Sequence, residues 1–299
     1  TSYAYHNGKS EEALRKSVVE RYPKSKFTIA IKLPTFLIQT EDQVEDIFAQ
    51  QLKNLGTDYV DYYLLHAMME GGYKKYDKFH LWDFVGEQKA KGLVKHMGFS
   101  FHAGPQLLDR LLKEHPEVDF VQLQINYADW ENPSVTARAN YEVARKHGKS
   151  IVIMEPVKGG NLANPPAAVK RLFDGYHPDM SYASWAIRFV ASLDGIITVL
   201  SGMSNTQQME DNLSYMKKFQ PLNEAEQKII QEAQRILGNS STIPCTACHY
   251  CTEGCPKKIP IPEIFSAMNK QLGNGQMAEA VSDYRKATSL AGKASECIN

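Results

Sequence analysis

The chain has 299 residues, 43% of them hydrophobic, and its 34 basic and 34 acidic residues give no net charge. This length suffices for one large domain and a small one. The balanced charge provides no basic field to attract nucleic acid or an anionic membrane. No apolar run in the sequence approaches the ~20 residues of a membrane-spanning helix.

Short apolar segments, which we predict to be β-strands, alternate along the chain with amphipathic segments that we predict to be helices. The predicted strands are 27–32, 59–65, 94–100, 120–125, 150–154 and 196–201. The predicted helices are 10–21, 41–54, 81–91, 105–115, 134–147, 181–193, 206–217 and 224–237. Glu11 and Glu12 suit the start of the first helix, and Thr40 with Gln43 predicts a capping box at the second.

This alternation predicts an α/β fold with a parallel sheet. On counts alone, both an open doubly wound sheet and a (β/α)8 barrel remain possible. A doubly wound nucleotide-binding fold requires Gly-x-Gly-x-x-Gly after an early strand, and the sequence lacks that motif. The barrel is favoured if two further strands precede Thr1, and both ends of the chain look like cuts through a longer protein.

Polar residues interrupt or end several predicted strands, and in a barrel the carboxyl ends of the strands form the active site. Lys32 and His66 each end an apolar run, although a solvated lysine and a hydrogen-bonded core histidine are the ordinary alternatives. Ser100 and Ser201 end two more strands. The amides of 122, 124 and 126 share one face of a strand. Because burying them without partners is costly, we expect them to line a ligand site.

All five cysteines lie after position 244, and four of them form the run Cys-x2-Cys-x2-Cys-x3-Cys-Pro. This spacing is typical of a [4Fe–4S] cluster, in which cysteine thiolates hold the iron. A structural zinc site usually needs two Cys pairs separated by a longer loop, and a disulfide scaffold would distribute cysteines through the chain. The predicted metal ligands are Cys245, Cys248, Cys251, Cys255 and Cys297. We predict two domains, 1–238 and 242–299, joined by a polar linker.

Residues 3–11, Tyr-Ala-Tyr-His-Asn-Gly-Lys-Ser-Glu, resemble the loop after the second strand of aldo/keto reductases. The resemblance extends in order over roughly residues 1–237, and it implies the (β/α)8 barrel of that family. It assigns the family's catalytic tyrosine to Tyr5, its lysine to Lys32 and its histidine to His66. The family's catalytic aspartate would precede Thr1. The implied reaction is hydride transfer between NAD or NADP and a small carbonyl or alcohol.

The same resemblance implies a set of cofactor-binding residues at the ends of the later strands. They are Ser100, Gln122, Pro156, Gly159, Gly160, Ser201, Gly202, Met203, Ser204, Gln208 and Asn212. Three departures from the family pattern stand out. Phe101 replaces an asparagine that grips the nicotinamide, and Met154 or Glu155 occupies the place of a stacking tyrosine. Gly202 and Gln208 replace the lysine and arginine that bind the 2′-phosphate, so we expect no strong preference for NADP over NAD.

The tail resembles the ferredoxin-like extension of a subgroup of aldo/keto reductases, a small α-helical iron–sulfur domain. In two-cluster ferredoxins the fourth cysteine of such a run ligates the other cluster. That pattern puts Cys255 with Cys297 in a second cluster, completed by cysteines after Asn299, although Cys297 as a free thiol is the alternative. A helix starting within 259–265 would pack over the first cluster.

The leading interpretation is therefore an oxidoreductase of the aldo/keto reductase type whose clusters exchange electrons with a redox partner protein. One alternative is an electron-transfer or scaffold subunit whose barrel no longer reduces carbonyls, which the altered cofactor positions favour. Another is a purely structural cluster. Thiolate-bound clusters suit a reducing compartment, so we expect the protein in the cytoplasm, bound to neither nucleic acid nor membrane.

Overall fold

The computed structural model describes residues 1–3, 5–239, 243, 245, 247, 249–253 and 255–298. The six strands found among these residues form one parallel sheet, whose order follows the chain. The strands are β1 (Ala30–Leu33), β2 (Val60–Met68), β3 (Val94–Phe101), β4 (Phe120–Gln124), β5 (Ser150–Met154) and β6 (Ile196–Val199). The predicted parallel sheet is thus confirmed, with strand ends that differ from prediction by at most three residues. A parallel sheet in chain order is consistent with a (β/α)8 barrel.

Contacts divide the described chain into two units. The first comprises 1–125, 129–154 and 194–199, and contains the whole sheet. Its helical segments are α1 (Tyr5–Gly8), α2 (Ser10–Leu14), α3 (Gln43–Leu55), α4 (Lys74–Lys78), α5 (Leu81–Ala90), α6 (Pro105–Glu114) and α7 (Ala137–Lys146). The second comprises 126–128, 155–193 and the chain from Leu200 onward. Its helices are α8 (Ala167–Asp174), α9 (Tyr182–Ala191), α10 (Thr206–Met216), α11 (Glu224–Gly238), α12 (Tyr250–Glu253), α13 (Ile261–Asn274) and α14 (Met277–Ala287).

Helix α3 shows how the sequence pattern selects the buried face of a helix. Val44, Phe48, Gln51 and Leu55 recur at helical spacing and are all buried, as expected of the face that packs on a sheet. The helix ends at Gly56, whose φ of 65° is the left-handed conformation that terminates helices. Three of these four buried residues are apolar and the fourth is an amide.

Two local predictions need correction. The predicted helix over 10–21 is regular only through Leu14 and continues as a π-helical turn, Arg15–Val19. The capping box at Thr40 is only half formed: Gln43 Oε1 accepts the Thr40 N–H at 3.3 Å, but α3 begins with no side-chain cap. A complete capping box instead joins Asn223 and Glu226 at the start of α11, which the sequence reading missed.

The second unit has its own core. The rings of Phe173 and Trp185 stack with centroids 4.6 Å apart, and the fully buried Tyr127 meets Phe173 edge-on. Helices α13 and α14 pack against each other in the tail, and α13 begins at Ile261, inside the segment where we predicted a helix start. Among the described helices, none combines the length and the apolar composition needed to cross a bilayer.

Gly98 allows the close approach of β3 and β4, and its replacement tests that packing. A Cβ added there would lie 2.6 Å from the Phe120 ring and 2.7 Å from the Phe120 carbonyl oxygen. We expect Gly98→Ala to lower the free energy of unfolding by about 1–3 kcal/mol, measured by urea denaturation. The control is Gly86→Ala in α5, where an added Cβ meets nothing within 4 Å. Alanine favours a helix by up to ~1 kcal/mol, so this variant should gain stability. Equal losses in both variants would contradict the packing argument.

Candidate active site

The structure brings together the three predicted catalytic residues, all of them in the first unit. Lys32 Nζ lies 5.1 Å from the centroid of the Tyr5 ring. The rings of Tyr5 and His66 meet nearly edge-on, with centroids 6.1 Å apart. Lys32 and His66 are buried, whereas 40% of Tyr5 remains exposed. The arrangement therefore presents a phenol to solvent above a buried amine and a buried imidazole.

His66 is held by an irregularity in β2. The register of β2 against β3 shifts between Leu65 and Met68, and Ala67 has a φ of 57°, which is unfavourable for a residue with a Cβ. The Ala67 N–H donates to Ser100 Oγ at 2.8 Å. The His66 carbonyl accepts from Thr35 Oγ1 at 3.0 Å and from Tyr76 Oη at 2.5 Å. These three side chains hold the bulge that aims His66, as bulges beside active sites do.

Burial makes the imidazoles of this site weak bases. Burial first, and then the charges of Lys32 and His102, lower the pKa of His66 to about 3. Burial and Lys32 lower the pKa of His102 to about 4, and burial lowers the pKa of Lys32 to about 8. At neutral pH both imidazoles are therefore neutral and Lys32 is mostly cationic. A neutral imidazole donates from one nitrogen and accepts at the other.

His102 is a polar residue of the site that the sequence reading missed. It directly follows β3, and its backbone N–H donates to the Met68 carbonyl at 2.9 Å. The available signal was its spacing, because a residue two positions after Ser100 on an extended strand shares its face. Its electrostatic effect on His66 and its response to Lys32 associate it with both predicted catalytic side chains.

Two predicted cofactor residues belong to the same unit, and each makes a defined contact. Ser100 is buried, and its hydroxyl oxygen accepts the Ala67 N–H. Gln122 is also buried, and its Nε2 donates to Met154 Sδ at 3.2 Å. The Met154 thioether thus helps to fix the Gln122 amide.

The other predicted cofactor residues lie in the second unit, on two loops and in helix α10. In the loop containing Pro156, four residues have left-handed backbone conformations: Glu155, Lys158, Gly159 and Gly160. Gly159 and Gly160 are exposed and Pro156 is buried. Loops with such dihedrals turn successive N–H groups toward one concave face, which binds anions.

Side chains of helix α10 hold the loop that follows β6. Asn212 Nδ2 donates to Ser201 Oγ at 2.8 Å, and Asn212 Oδ1 accepts from Tyr215 Oη at 2.5 Å. The Ser204 N–H donates to Gln208 Oε1 at 2.7 Å. Gly202 is exposed and Met203 is half-buried. The Asn212 amide thus donates to the loop and accepts from its own helix.

The tail contains a cavity of about 420 Å³ beside three of its cysteines, Cys251, Cys255 and Cys297. Ile259, Ile264 and Phe265 are among the apolar residues that line it. None of the four described cysteines forms a disulfide. Cys248 lies outside the described residues. Within the described part of the chain, no three His, Cys, Asp or Glu side chains are close enough to hold a metal ion.

The backbone around these cysteines has unusual dihedrals. Ala247, His249 and Lys258 all have positive φ, between 50° and 63°. The Ala247 N–H donates to Cys245 Sγ at 3.4 Å, and the Ile259 N–H donates to Cys255 Sγ at 3.5 Å. Positive φ and N–H groups directed at sulfur are features of loops that surround iron–sulfur clusters.

The family model of the aldo/keto reductases matches residues 1–235. The chain belongs to the aldo/keto reductase family. This confirms the predicted family of NAD(P)-dependent oxidoreductases, whose members act on small carbonyl substrates. The match ends before the cysteine run.

Solved aldo/keto reductases share the fold at low sequence identity. The holo form of an aldo-keto reductase from Bacillus halodurans is 20% identical, with a TM-score of 0.62 over 77% of this chain and 80% of that one. An enzyme from Brucella melitensis is 22% identical, with a TM-score of 0.61 over 77% and 82%. One from Klebsiella pneumoniae, in complex with NADP and acetate, is 13% identical, with a TM-score of 0.62 over 78% of each chain. A search of curated proteins gives no match.

The buried histidines predict how stability depends on pH. Between pH 6.5 and about 4, the unfolded chain binds protons at His66 and His102 that the folded chain does not, so stability falls as pH falls. Each group contributes a slope of up to about 1.4 kcal/mol per pH unit. We expect His66→Asn to flatten the stability profile in this window, measured by urea denaturation. His6→Asn, at an exposed position, serves as the control and should keep the wild-type slope. An unchanged profile for His66→Asn would contradict the assignment of a buried neutral imidazole.

Proposed function

We propose that this aldo/keto reductase reduces the carbonyl group of a small substrate, with Tyr5 as the proton donor. The observation that carries the proposal is the convergence of the exposed Tyr5 phenol, the buried Lys32 and the buried His66 at the ends of β1 and β2. A nicotinamide, when bound, would supply the hydride that the carbonyl carbon receives. Tyr5 transfers its proton to the carbonyl oxygen, and the Lys32 ammonium stabilises the phenolate that remains.

His66 has a different part in this reaction. Its neutral imidazole can donate a hydrogen bond to the carbonyl oxygen, where negative charge grows as the hydride arrives. A donor already aimed at that oxygen stabilises the transition state without reorganisation. The bulge that holds His66 supports this role, since Ser100, Thr35 and Tyr76 all bond to the peptide group that joins His66 to Ala67.

Each unit contains residues that suit part of a dinucleotide. In the second unit, the loop from Glu155 to Gly160, with its left-handed residues, suits a pyrophosphate. In the first unit, Ser100 and Gln122 suit a nicotinamide. The NADP bound by the Klebsiella pneumoniae enzyme supports a nicotinamide cofactor. Gly202 and Gln208 carry no cation for a 2′-phosphate, so we propose that NADP has no strong advantage over NAD.

The decisive test of the reductase proposal is Tyr5→Phe. A general acid contributes roughly 10²–10⁴ to the rate, so kcat for a panel of small aldehydes should fall by that factor with either NADH or NADPH. The matched control is Tyr22→Phe, at an exposed tyrosine, which should keep the wild-type rate. If the wild-type enzyme reduces no carbonyl while its clusters stay intact, the electron-transfer or scaffold alternative holds instead. Phe101, Gly202 and Gln208 are the residues that favour that alternative.

A binding titration with each nicotinamide tests the cofactor proposal. Tight binding of NADP with undetectable binding of NAD would contradict it.

We further propose that the tail binds [4Fe–4S] clusters through its cysteine thiolates. The spacing of the run, the positive φ of Ala247 and His249, and the N–H groups directed at Cys245 and Cys255 support this. Cys245, Cys248 and Cys251 belong to one cluster, while Cys255 and Cys297 belong to a second. The cavity shared by Cys255 and Cys297 supports their pairing, although Cys251 also lines it. Such clusters would exchange single electrons with a redox partner protein, in the reducing cytoplasm that thiolate ligands suit.

Iron analysis of cysteine variants tests this pairing. Two clusters need eight thiolate ligands, of which this chain supplies five. The test therefore uses the intact protein, which should contain about eight irons when purified without air, four for each cluster. Cys255→Ser and Cys297→Ser should each remove the same four irons, and the double variant should lose no more. If Cys255→Ser removes all the iron and Cys297→Ser removes none, the protein has a single cluster. Zinc in place of iron would contradict the cluster proposal altogether.

A further inference from the structure

Gln51 is a buried amide that links the two halves of the candidate catalytic site. Its Nε2 donates to the Lys32 carbonyl at 3.0 Å and to Glu11 Oε1 at 2.9 Å. Its Oε1 accepts from Tyr63 Oη at 2.8 Å. Glu11, Gln51 and Tyr63 are all essentially inaccessible to solvent. One side chain therefore joins α2, β1 and β2 at a point that water does not reach.

Glu11 anchors the segment that carries Tyr5. It lies one helical turn after the α1 turn, in α2, and its second oxygen, Oε2, accepts from Asn54 Nδ2 at 3.0 Å. Burial raises the pKa of Glu11, so its carboxyl group depends on these two amide donors. Both donors come from α3, which means that α3 fixes the position of α2.

The α1 turn needs such an anchor. His6 and Asn7 both have left-handed dihedrals, with φ of 53° and 56°. Each such residue costs of order 1–2 kcal/mol, and a strained turn persists only where its surroundings determine it. Tyr5 begins this turn. The hydrogen bonds to Glu11 lie directly after it, where they can keep Tyr5 over Lys32.

A buried amide at position 51 is unexpected among its apolar neighbours, which favours a specific role for Gln51. The other buried residues on this face of α3 are Val44, Phe48 and Leu55, so the packing itself calls for an apolar side chain. A buried amide is costly unless it is fully hydrogen-bonded. At Gln51 that cost is offset by bonds to the backbone of Lys32 and to the carboxylate that follows the Tyr5 turn.

We propose that Gln51 is a positioning residue, which fixes the Tyr5 turn relative to Lys32 and thereby sets the acidity of the Tyr5 phenol. The inference rests on the proposed role of Tyr5. Without the bridge, α2 and β1 are no longer tied to a common group, and the separation of the phenol from the Lys32 ammonium increases. A misplacement of about 1 Å at a reacting group can cost about a hundredfold in rate.

The test uses Gln51→Met, an apolar side chain of similar length. We expect kcat to fall about tenfold to a hundredfold, with KM for the cofactor unchanged, and the limb of the pH–rate profile that reports Tyr5 to move to higher pH. The control is Val44→Ala, which would create a cavity on the same buried face of α3. It should lower stability and leave the pH profile as in the wild type. The single variant Tyr63→Phe removes only the bond to Gln51 Oε1 and leaves the bonds to Lys32 and Glu11 in place. It should therefore keep most of the activity that Gln51→Met loses.

A second readout does not depend on turnover. The titration of Tyr5 can be followed by NMR in protein with labelled tyrosine, with the resonance assigned from Tyr5→Phe. Gln51→Met should shift this titration to higher pH even if no carbonyl substrate is found, which separates this inference from the proposed function. A wild-type titration of Tyr5 in Gln51→Met, or the same shift in Val44→Ala, would overturn the proposal.

Discussion

The candidate active site depends on one constraint, a lysine ammonium buried at the end of a strand. Removing a cation from water disfavours its charged form, and burial accordingly lowers the pKa of Lys32 to about 8. The same charge acts on its neighbours, because it helps to hold the pKa of His66 and His102 far below that of a free imidazole. Lys32 thus remains a cation beside two neutral rings, and the Tyr5 phenol lies over it. The division of roles among these side chains follows from that burial.

Much of the fold and part of the site could be predicted from the sequence, because the signals are local. Six short apolar runs became the six strands, and the polar residues that end two of them, Lys32 and His66, converge as a barrel requires. The loop motif around Tyr5 identified the third candidate catalytic residue. Each of these inferences needed only a stretch of neighbouring residues and a general rule about parallel sheets.

The supporting residues could not be predicted, because their function comes from contacts between distant segments. Glu11 looks like an ordinary acidic residue at a helix start, yet it is buried and bound by amides 40 and 43 residues further along the chain. Gln51 carries a weak signal, as the one amide in an otherwise apolar stripe of α3. Ala67 gives no signal at all, since its left-handed backbone is imposed by hydrogen bonds around it.

The tail shows the same limit on a smaller scale. Four cysteines within eleven residues make a cluster-binding run recognisable without any fold. The proposed grouping of Cys297 with Cys255 instead rests on the cavity that both line together with residues of α13. Apolar side chains line one part of that cavity, while Cys251 and Cys297 are exposed. Solvent access and surrounding apolar groups both tune the potential of a metal centre. A cluster bound here would have an apolar wall on one side and accessible sulfur on the other, so both of these influences would act on it.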